Sequence, residues 1–175
     1  SVYFGIEMLN MRARSSNNFT TEDLANIVKI CNEHGIKSYL TVNTIIYDKD
    51  METLHKVMKA AKDNNVSAII ACDIAAIQCA IEYGVEVHIS TQLNISNTQA
   101  VRFFSQYADV VVLARELNLM QVKEIYKAIQ DEHICGPKGE LVKLEMFCHG
   151  ALCQAISGKC YLSLHENNYS ANKGA

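Results

Sequence analysis

The sequence has no long hydrophobic run and no excess of basic residues. No stretch of about 18 apolar residues occurs, and the first residues do not form a basic segment followed by an apolar one. We therefore expect neither a membrane span nor a secretory signal. We expect a cytoplasmic location. The net charge of -3 at pH 7 gives no electrostatic footprint for nucleic acid.

Four motifs that would fix an activity are also missing. No G-x-G-x-x-G follows a strand pattern and no G-x-x-x-x-G-K-[ST] is present, so neither dinucleotide binding nor a P-loop is supported. The chain has no G-x-S-x-G and no H-E-x-x-H, which leaves serine and zinc peptidase chemistry without its usual motifs. A more specific function must come from other residues.

The composition is that of a globular α/β domain. The chain has 175 residues, 49% of them hydrophobic, and only one proline, which is enough to bury a sizeable core. It opens at Ser1 directly into a strand pattern and ends in a polar segment, so we expect it to be part of a longer protein. Seven scattered cysteines, an odd number, do not indicate a disulfide framework.

Apolar runs alternate with amphipathic segments along the chain. Six runs read as strands that are apolar on both faces, which is typical of a parallel sheet covered by helices. Six successive units favour a (β/α) TIM-type barrel, incomplete because such a barrel needs roughly 250 residues; an open sheet is the alternative. We assign residues 1–150 to the partial barrel and 151–175 to a cysteine-bearing segment. The predicted strands cover residues 2–6, 37–43, 67–72, 86–91, 109–114 and 141–147.

Helix boundaries follow from capping signals. Thr20 and Thr21, ahead of Glu22 and Asp23, predict an N-cap and an acidic first turn. Further helices are predicted over residues 51–64, from about 74 to 84, 97–107 and 119–132.

Polar side chains follow every predicted strand. On a barrel the carboxyl ends of the strands carry the chemistry, so these residues are candidates for one rim; the alternative for each is a helix cap or a loop contact. The arginines among them suit a carboxylate or another anion through bidentate hydrogen bonds. The candidates are Arg12, Arg14, Asn43, Asp73, Gln92, Asn94, Arg115, Glu116, Glu145 and His149.

The cysteines fall into two groups. Cys31, Cys72 and Cys79 lie on predicted apolar faces or at a strand end, where cysteine is usually a small buried hydrophobe. Cys153 and Cys160 are seven residues apart, so either a helix or two adjoining turns could bring them together. Core packing, a zinc site that also uses Cys148 and His149, and a Cys153–His149 thiol-base pair all remain open.

The segment Glu145 to Ser163 carries the pattern E-x-F-x-x-G-A-L-C-x-x-x-x-G-x-C-x-L-S, ten specified positions in nineteen. This pattern resembles the signature of the collagenase-like peptidase family of unassigned catalytic type, peptidase family U thirty-two. VYFG, the R-x-R loop, HISTQLN and LAREL are similar in kind and order to the same family. The resemblance covers essentially the whole chain and implies a further strand and helix before Ser1.

The resemblance implies two activities. Some members are described as collagenase-type peptidases, and others resemble oxygen-independent hydroxylases that act on wobble uridine of tRNA, on ribosomal RNA or on ubiquinone precursors, the RNA enzymes using prephenate as the hydroxyl source. In the hydroxylases four cysteines hold a four-iron four-sulfur cluster. The first two correspond to Cys153 and Cys160, and the other two are expected just beyond Ala175. With two of four thiolates, this chain alone is not expected to hold an intact cluster.

We therefore favour a cluster-dependent tRNA hydroxylase. On this hypothesis the arginines Arg12, Arg14 and Arg115 bind a carboxylate such as prephenate. Asp73, Glu145 and His149 handle protons or orient the substrate. A peptidase and a non-catalytic metal-binding module are the alternatives, and the sequence does not set the oligomeric state.

Overall fold

Six strands alternate with helices in the computed structural model, which describes residues 1–6, 9–13, 18–150, 153–168 and 170–173. The strands are β1 (Val2–Gly5), β2 (Ser38–Val42), β3 (Ala68–Ala71), β4 (Val87–Ile89), β5 (Val110–Val112) and β6 (Lys143–Glu145). The helices are α1 (Leu24–Glu33), α2 (Met51–Asp63), α3 (Ile74–Tyr83), α4 (Thr98–Phe104), α5 (Leu119–Asp131) and α6 (Leu162–Asn167). Each strand lies within a predicted apolar run, and α6 was not predicted.

The strands form one parallel six-stranded sheet in the order β1-β2-β3-β4-β5-β6. Val2 pairs with Ser38 between β1 and β2, and Val110 pairs with Lys143 between β5 and β6. This confirms the predicted α/β class with a parallel sheet. Within the described residues β6 does not pair back to β1, so the barrel is not closed and the TIM-type closure stays a prediction.

The chain divides into two compact units. The first contains residues 1–87 and 161–175, and the second contains residues 88–160. The division predicted at residue 150 stays a prediction. The largest fully buried side chains of the first unit are Ile6, Leu24, Leu40, Val42, Leu54, Met58, Ile69 and Ile77. Those of the second are Ile89, Ile95, Leu113 and Ile129.

Helix α2 shows how the apolar spacing sets the core of the first unit. Its buried residues are Leu54, Val57, Met58 and Ala61, the stripe that the 3.6-residue period predicts. Burying one such large side chain contributes about 1.5–3 kcal/mol. The apolar stripe therefore fixes which face of α2 turns inward.

Helix α1 begins later than its capping signal predicts. It starts at Leu24 with Asp23 as its N-cap, and no acidic residue lies in its first turn. The Asp23 carboxylate instead accepts the Thr20 backbone N–H at 2.9 Å and the Thr20 hydroxyl at 3.0 Å. This contact closes a turn over the residues that precede the helix. The predicted N-cap at Thr20 or Thr21 is therefore wrong, because residues 21–23 form a turn and the helix begins only at Leu24.

Helices α4 and α5 of the second unit are capped by asparagines. The Asn97 side chain accepts the Ala100 N–H at 2.9 Å, and the Asn118 side chain accepts the N–H groups of Met120 and Gln121, both at 3.0 Å. Gln121 completes a capping box by accepting the Asn118 N–H at 2.9 Å. Helix α4 ends at Phe104, three residues before its predicted end.

Candidate functional site

Two charged residues just past β5 hold a turn of the cysteine-bearing segment. The hydroxyl oxygen of Ser157 accepts the backbone N–H of Arg115 at 3.3 Å and the Arg115 side-chain Nε–H at 3.2 Å. The Ser157 backbone N–H donates to Oε1 of Glu116 at 2.6 Å. Ser157 itself is fully buried. Side chain and main chain of one serine are thus both bonded to the end of β5.

The turn containing Ser157 spans residues 156–159, and we call it the Ser157 turn. The Lys159 N–H donates to the Ile156 carbonyl at 2.9 Å, and these two residues form an antiparallel bridge. Gly158 has φ +80°, and a Cβ at this position would lie 2.0 Å from the backbone oxygen of Gln92. Glycine is therefore required for its positive φ and for its close approach to the backbone after β4.

The Ser157 turn decides between two sequence-based alternatives. In the described residues 153–160 no helix forms, so the cysteines are joined by a turn and its two arms. Cys153 is exposed, Cys160 is half-buried, and neither forms a disulfide. Cys31, Cys72 and Cys79 are buried, as predicted from their apolar positions. Core packing is therefore not the role of Cys153.

The contact with Ser157 changes the electrostatics of Glu116. Partial burial raises the pKa of the Glu116 carboxyl, but the hydrogen bonds, led by the Ser157 backbone N–H, together with the nearby Arg115 charge outweigh it, so the net pKa lies below its usual value. Glu116 is thus held as a carboxylate, which strengthens its hydrogen bond to the turn.

The remaining candidates of the second unit make fewer contacts with the Ser157 turn. Glu145 ends β6, where its carbonyl accepts the Leu113 N–H at 2.9 Å, and its side chain is exposed. His149 is also exposed. Asn94 has φ 51° and accepts the Ser96 hydroxyl through its carbonyl at 3.0 Å, while Gln92 lies in the short helix Thr91–Leu93. The geometry therefore brings together Gln92, Arg115 and Glu116 around the Ser157 turn.

Two candidates of the first unit lie in neighbouring loops. The Asn43 side-chain oxygen accepts the Met11 N–H at 3.0 Å, and the buried Asn10 side chain accepts the Arg12 N–H at 3.0 Å. Arg12 is exposed. The predicted Arg14 lies outside the described residues. Asn43 therefore holds the loop that presents Arg12.

Both carboxylate oxygens of Asp73 accept backbone groups. Oδ1 accepts the Ala75 N–H at 2.8 Å and caps α3, and Oδ2 accepts the Ile46 N–H at 3.1 Å. The neighbouring Cys72 thiol donates to the Asn43 carbonyl at 3.1 Å. Burial, with a smaller contribution from Asp73, raises the pKa of Cys72 to about 12, so this thiol stays neutral. The contacts of Asp73 agree with the helix-cap alternative, and its proton-handling role stays a prediction.

Sequence reasoning missed Ser157 and the segment 170–173. Ser157 occupies an unspecified position of the family pattern, and its position next to Gly158 between two cysteines was the available signal. In the first unit the Asn172 carbonyl accepts the Ile45 N–H at 2.9 Å, and Lys173 forms an ion pair with Asp50. The polar composition of this segment did not indicate that it packs.

The described residues bear on the metal sites that the sequence allows. No group of three or more His, Cys, Asp or Glu in the described part of the chain could hold a metal ion, so the zinc site drawn from Cys148, His149, Cys153 and Cys160 is not formed. Cys153 and Cys160 are not buried, and thiolates are the ligands that iron–sulfur clusters use, so the four-thiolate cluster stays a prediction. No helix among the described residues has the length and apolar character needed to cross a membrane.

Comparison with known proteins identifies the family. The sequence profile of Peptidase family U32 matches residues 1–175. The chain belongs to this peptidase family. A protein named collagenase from Porphyromonas gingivalis strain W83 is 66% identical over 175 residues, covering 100% of the chain and 42% of that relative. This member of the U32 family therefore spans about two fifths of the length of that relative.

A second relative carries a different name. Bacillus subtilis tRNA hydroxylation protein P1 is 34% identical over 177 residues, covering 99% of the chain and 39% of that protein. Among solved structures, the U32 peptidase Mk0906 matches with a TM-score of 0.58 at 16% identity, covering 82% of this chain and 57% of that one. That likeness supports the fold alone. The family thus contains relatives named for proteolysis and for RNA hydroxylation.

Proposed function

We propose that the protein containing this chain is an oxygen-independent tRNA hydroxylase that uses a four-iron four-sulfur cluster, with Cys153 and Cys160 as two of its ligands. The observation that carries this proposal is a pair of cysteines, neither of them buried, that flank a turn bonded to Arg115 and Glu116. The relative named tRNA hydroxylation protein P1, matched over 99% of the chain, supports the RNA substrate.

The thiols would supply half of the ligands, and a bound cluster would supply electron transfer. The other two thiolates are expected outside this chain. Cys153 is exposed and Cys160 half-buried, so both can reach a ligand without unfolding of the core. Cys72, in contrast, is a buried neutral thiol and cannot serve as a thiolate at ordinary pH.

The charged candidates of the two units have distinct proposed roles. Arg115 uses its Nε for Ser157, and its terminal nitrogens have no hydrogen-bond partner among the described residues, so they can bind a carboxylate such as that of prephenate. Arg12 and Arg14 are proposed for the same anion class. Glu145 and His149 are exposed and remain candidates for proton transfer, whereas Asp73 has both oxygens bonded.

The test uses the full-length protein purified without oxygen. We expect about four irons per chain, and a hydroxylated wobble uridine that disappears from tRNA when the gene is deleted. Cys153→Ser and Cys160→Ser should each abolish iron binding and fail to restore the nucleoside. Cys148→Ser, an exposed cysteine of the same segment, is the matched control and should restore it. Iron-free wild-type protein, or normal hydroxylation with both thiols removed, would contradict the proposal.

Peptidase activity is the second candidate because the relative at 66% identity is named collagenase. The structure offers this activity less support, since Cys153 and His149 are not hydrogen-bonded to each other in the described residues. The same preparation freed of metal should cleave denatured collagen if this candidate is correct. A protein with neither activity would indicate a non-catalytic binding module.

A further inference from the structure

We propose that Ser157 is a positioning residue that holds Cys153 and Cys160 as a two-thiol pair before any metal binds. The purpose of this pair rests on the proposed function, but its existence can be tested without iron. Ser157 neither carries a thiol nor lies among the residues that the sequence singled out. Its role would be exerted entirely through the turn that it fixes.

Three hydrogen bonds meet at Ser157. Its hydroxyl accepts from Arg115 twice, and its N–H donates to the Glu116 carboxylate at 2.6 Å. All of these bonds are made by a residue with no exposed surface. Hydrogen bonds to ionised groups are the strong ones, and two of these bonds join Ser157 to the charged side chains of Arg115 and Glu116. The turn is therefore attached firmly to the end of β5.

Gly158 makes an independent contact with the backbone of Gln92. The Gly158 and Gln92 backbones are so close that a Cβ added to Gly158 would lie 2.0 Å from the Gln92 carbonyl oxygen. The Ser157 turn thus rests on the chain after β4 as well as on the chain after β5. Two anchoring points on consecutive strand ends restrict both the position and the tilt of the turn.

Cys153 and Cys160 lie on either side of the Ser157 turn in the sequence. Cys160 follows Lys159 directly, and Cys153 lies three residues before Ile156. Because Ile156 and Lys159 are bridged, the two arms that carry the cysteines leave the turn side by side. Six residues separate the cysteines, and ordering each residue of a free loop costs about 1–2 kcal/mol of conformational entropy. Fixing the turn removes part of that cost before a ligand binds both thiols.

The test uses phenylarsine oxide, a trivalent arsenical that requires two nearby thiols. Two arsenic–sulfur bonds form, and the two thiol protons leave with the oxide oxygen as water, so no oxidant or reductant is needed. Every protein carries Cys135→Ser and Cys148→Ser, and any cysteine of the full-length protein outside this chain is also changed to serine. Cys153 and Cys160 are then the cysteines of the chain that lie outside its core. We expect a one-to-one adduct whose mass maps to both residues, and its loss in Cys153→Ser and Cys160→Ser.

Ser157→Ala should weaken arsenical binding about tenfold, as expected when hydrogen bonds that hold the bound geometry are lost. Ser105→Ala is the matched control, because Ser105 is also buried and donates one hydroxyl hydrogen bond, to Arg102 at 2.8 Å, away from the turn. Gly158→Ala tests the second anchor and should weaken binding in the same direction. Circular dichroism and thermal melting confirm that each variant is folded.

The outcomes separate this inference from the proposed function. Equal arsenical affinity in wild type and Ser157→Ala, or an equal loss in Ser105→Ala, overturns the positioning role, whatever the iron content of the full-length protein. Failure of wild type to bridge the two cysteines overturns it as well. An arsenical effect in a full-length protein that binds no iron leaves the thiol pair standing and overturns the cluster.

Discussion

At the scale of single residues, contacts separate candidates that the sequence could not rank. Polar residues follow every strand, and the sequence gives no reason to treat Asp73 differently from Glu116. In the structure Asp73 accepts hydrogen bonds from two backbone N–H groups of neighbouring loops and helices, whereas Glu116 accepts one from Ser157 in a segment distant in sequence. The strand-end position of each residue was predictable from the sequence. Its partner was not, because the partner of Glu116 lies 41 residues away along the chain.

Asp73→Ala should lower the free energy of unfolding by about 1–2 kcal/mol, because it removes the cap of α3 and the partner of the Ile46 N–H. Urea unfolding measures this change. Asp131→Ala, an exposed position at the end of α5, should change stability by less than about 0.5 kcal/mol. An unchanged stability in Asp73→Ala, together with a loss of hydroxylation, would instead assign Asp73 to proton transfer.

At the scale of elements, periodicity predicted helices and strands better than side-chain capping chemistry predicted their ends. The apolar stripe of α2 is buried as its spacing requires. The start of α1 was wrong because several residues offered capping oxygens, and the choice among Thr20, Thr21 and Asp23 depends on local backbone geometry. The segment between Cys153 and Cys160 allowed a helix or a turn, and the choice was made by long-range bonds to Arg115 and Glu116.

The N-cap of α5 should make a measurable contribution to the free energy of unfolding. Asn118→Ala removes two accepted N–H bonds and the return bond from Gln121, so it should destabilise the chain by about 1 kcal/mol. Asn118→Asp retains a capping oxygen and should cost little. Chemical denaturation of both variants checks the difference, and equal losses in the two variants would show that capping is not the cause.

At the scale of the whole molecule, sequentially distant segments are joined within each compact unit. The alternating pattern predicted the parallel sheet, since strands that are apolar on both faces need cover on both sides. It could not predict that residues 170–173 return to the loop after β2, because ion pairs between distant residues leave no periodic signal. There Lys173 lies 4.6 Å from the Tyr47 ring centroid and pairs with Asp50.

Lys173→Met should raise the pKa of Asp50. Burial raises this pKa, but hydrogen bonds from Lys173 and Tyr47 and the Lys173 charge bring it below the ordinary value of 3.8. A lowered folded-state pKa stabilises the protein above the unfolded pKa, and the gain is lost as the pH falls through the folded value. NMR titration of the Asp50 carboxyl measures the change. Lys49→Met removes a neighbouring charge but leaves the Lys173 hydrogen bond in place, so it should raise the pKa of Asp50 by less.

The contact between Gly158 and Gln92 makes opposite demands on its two members. Position 158 requires a residue without a side chain, whereas Gln92 takes part through its backbone carbonyl, which every residue has. In a library that randomises both codons and is selected for folded protein, only glycine should persist at position 158, while many residues should be tolerated at position 92. Selection for activity at position 92, among clones that already fold, would then show whether the Gln92 side chain is needed for function.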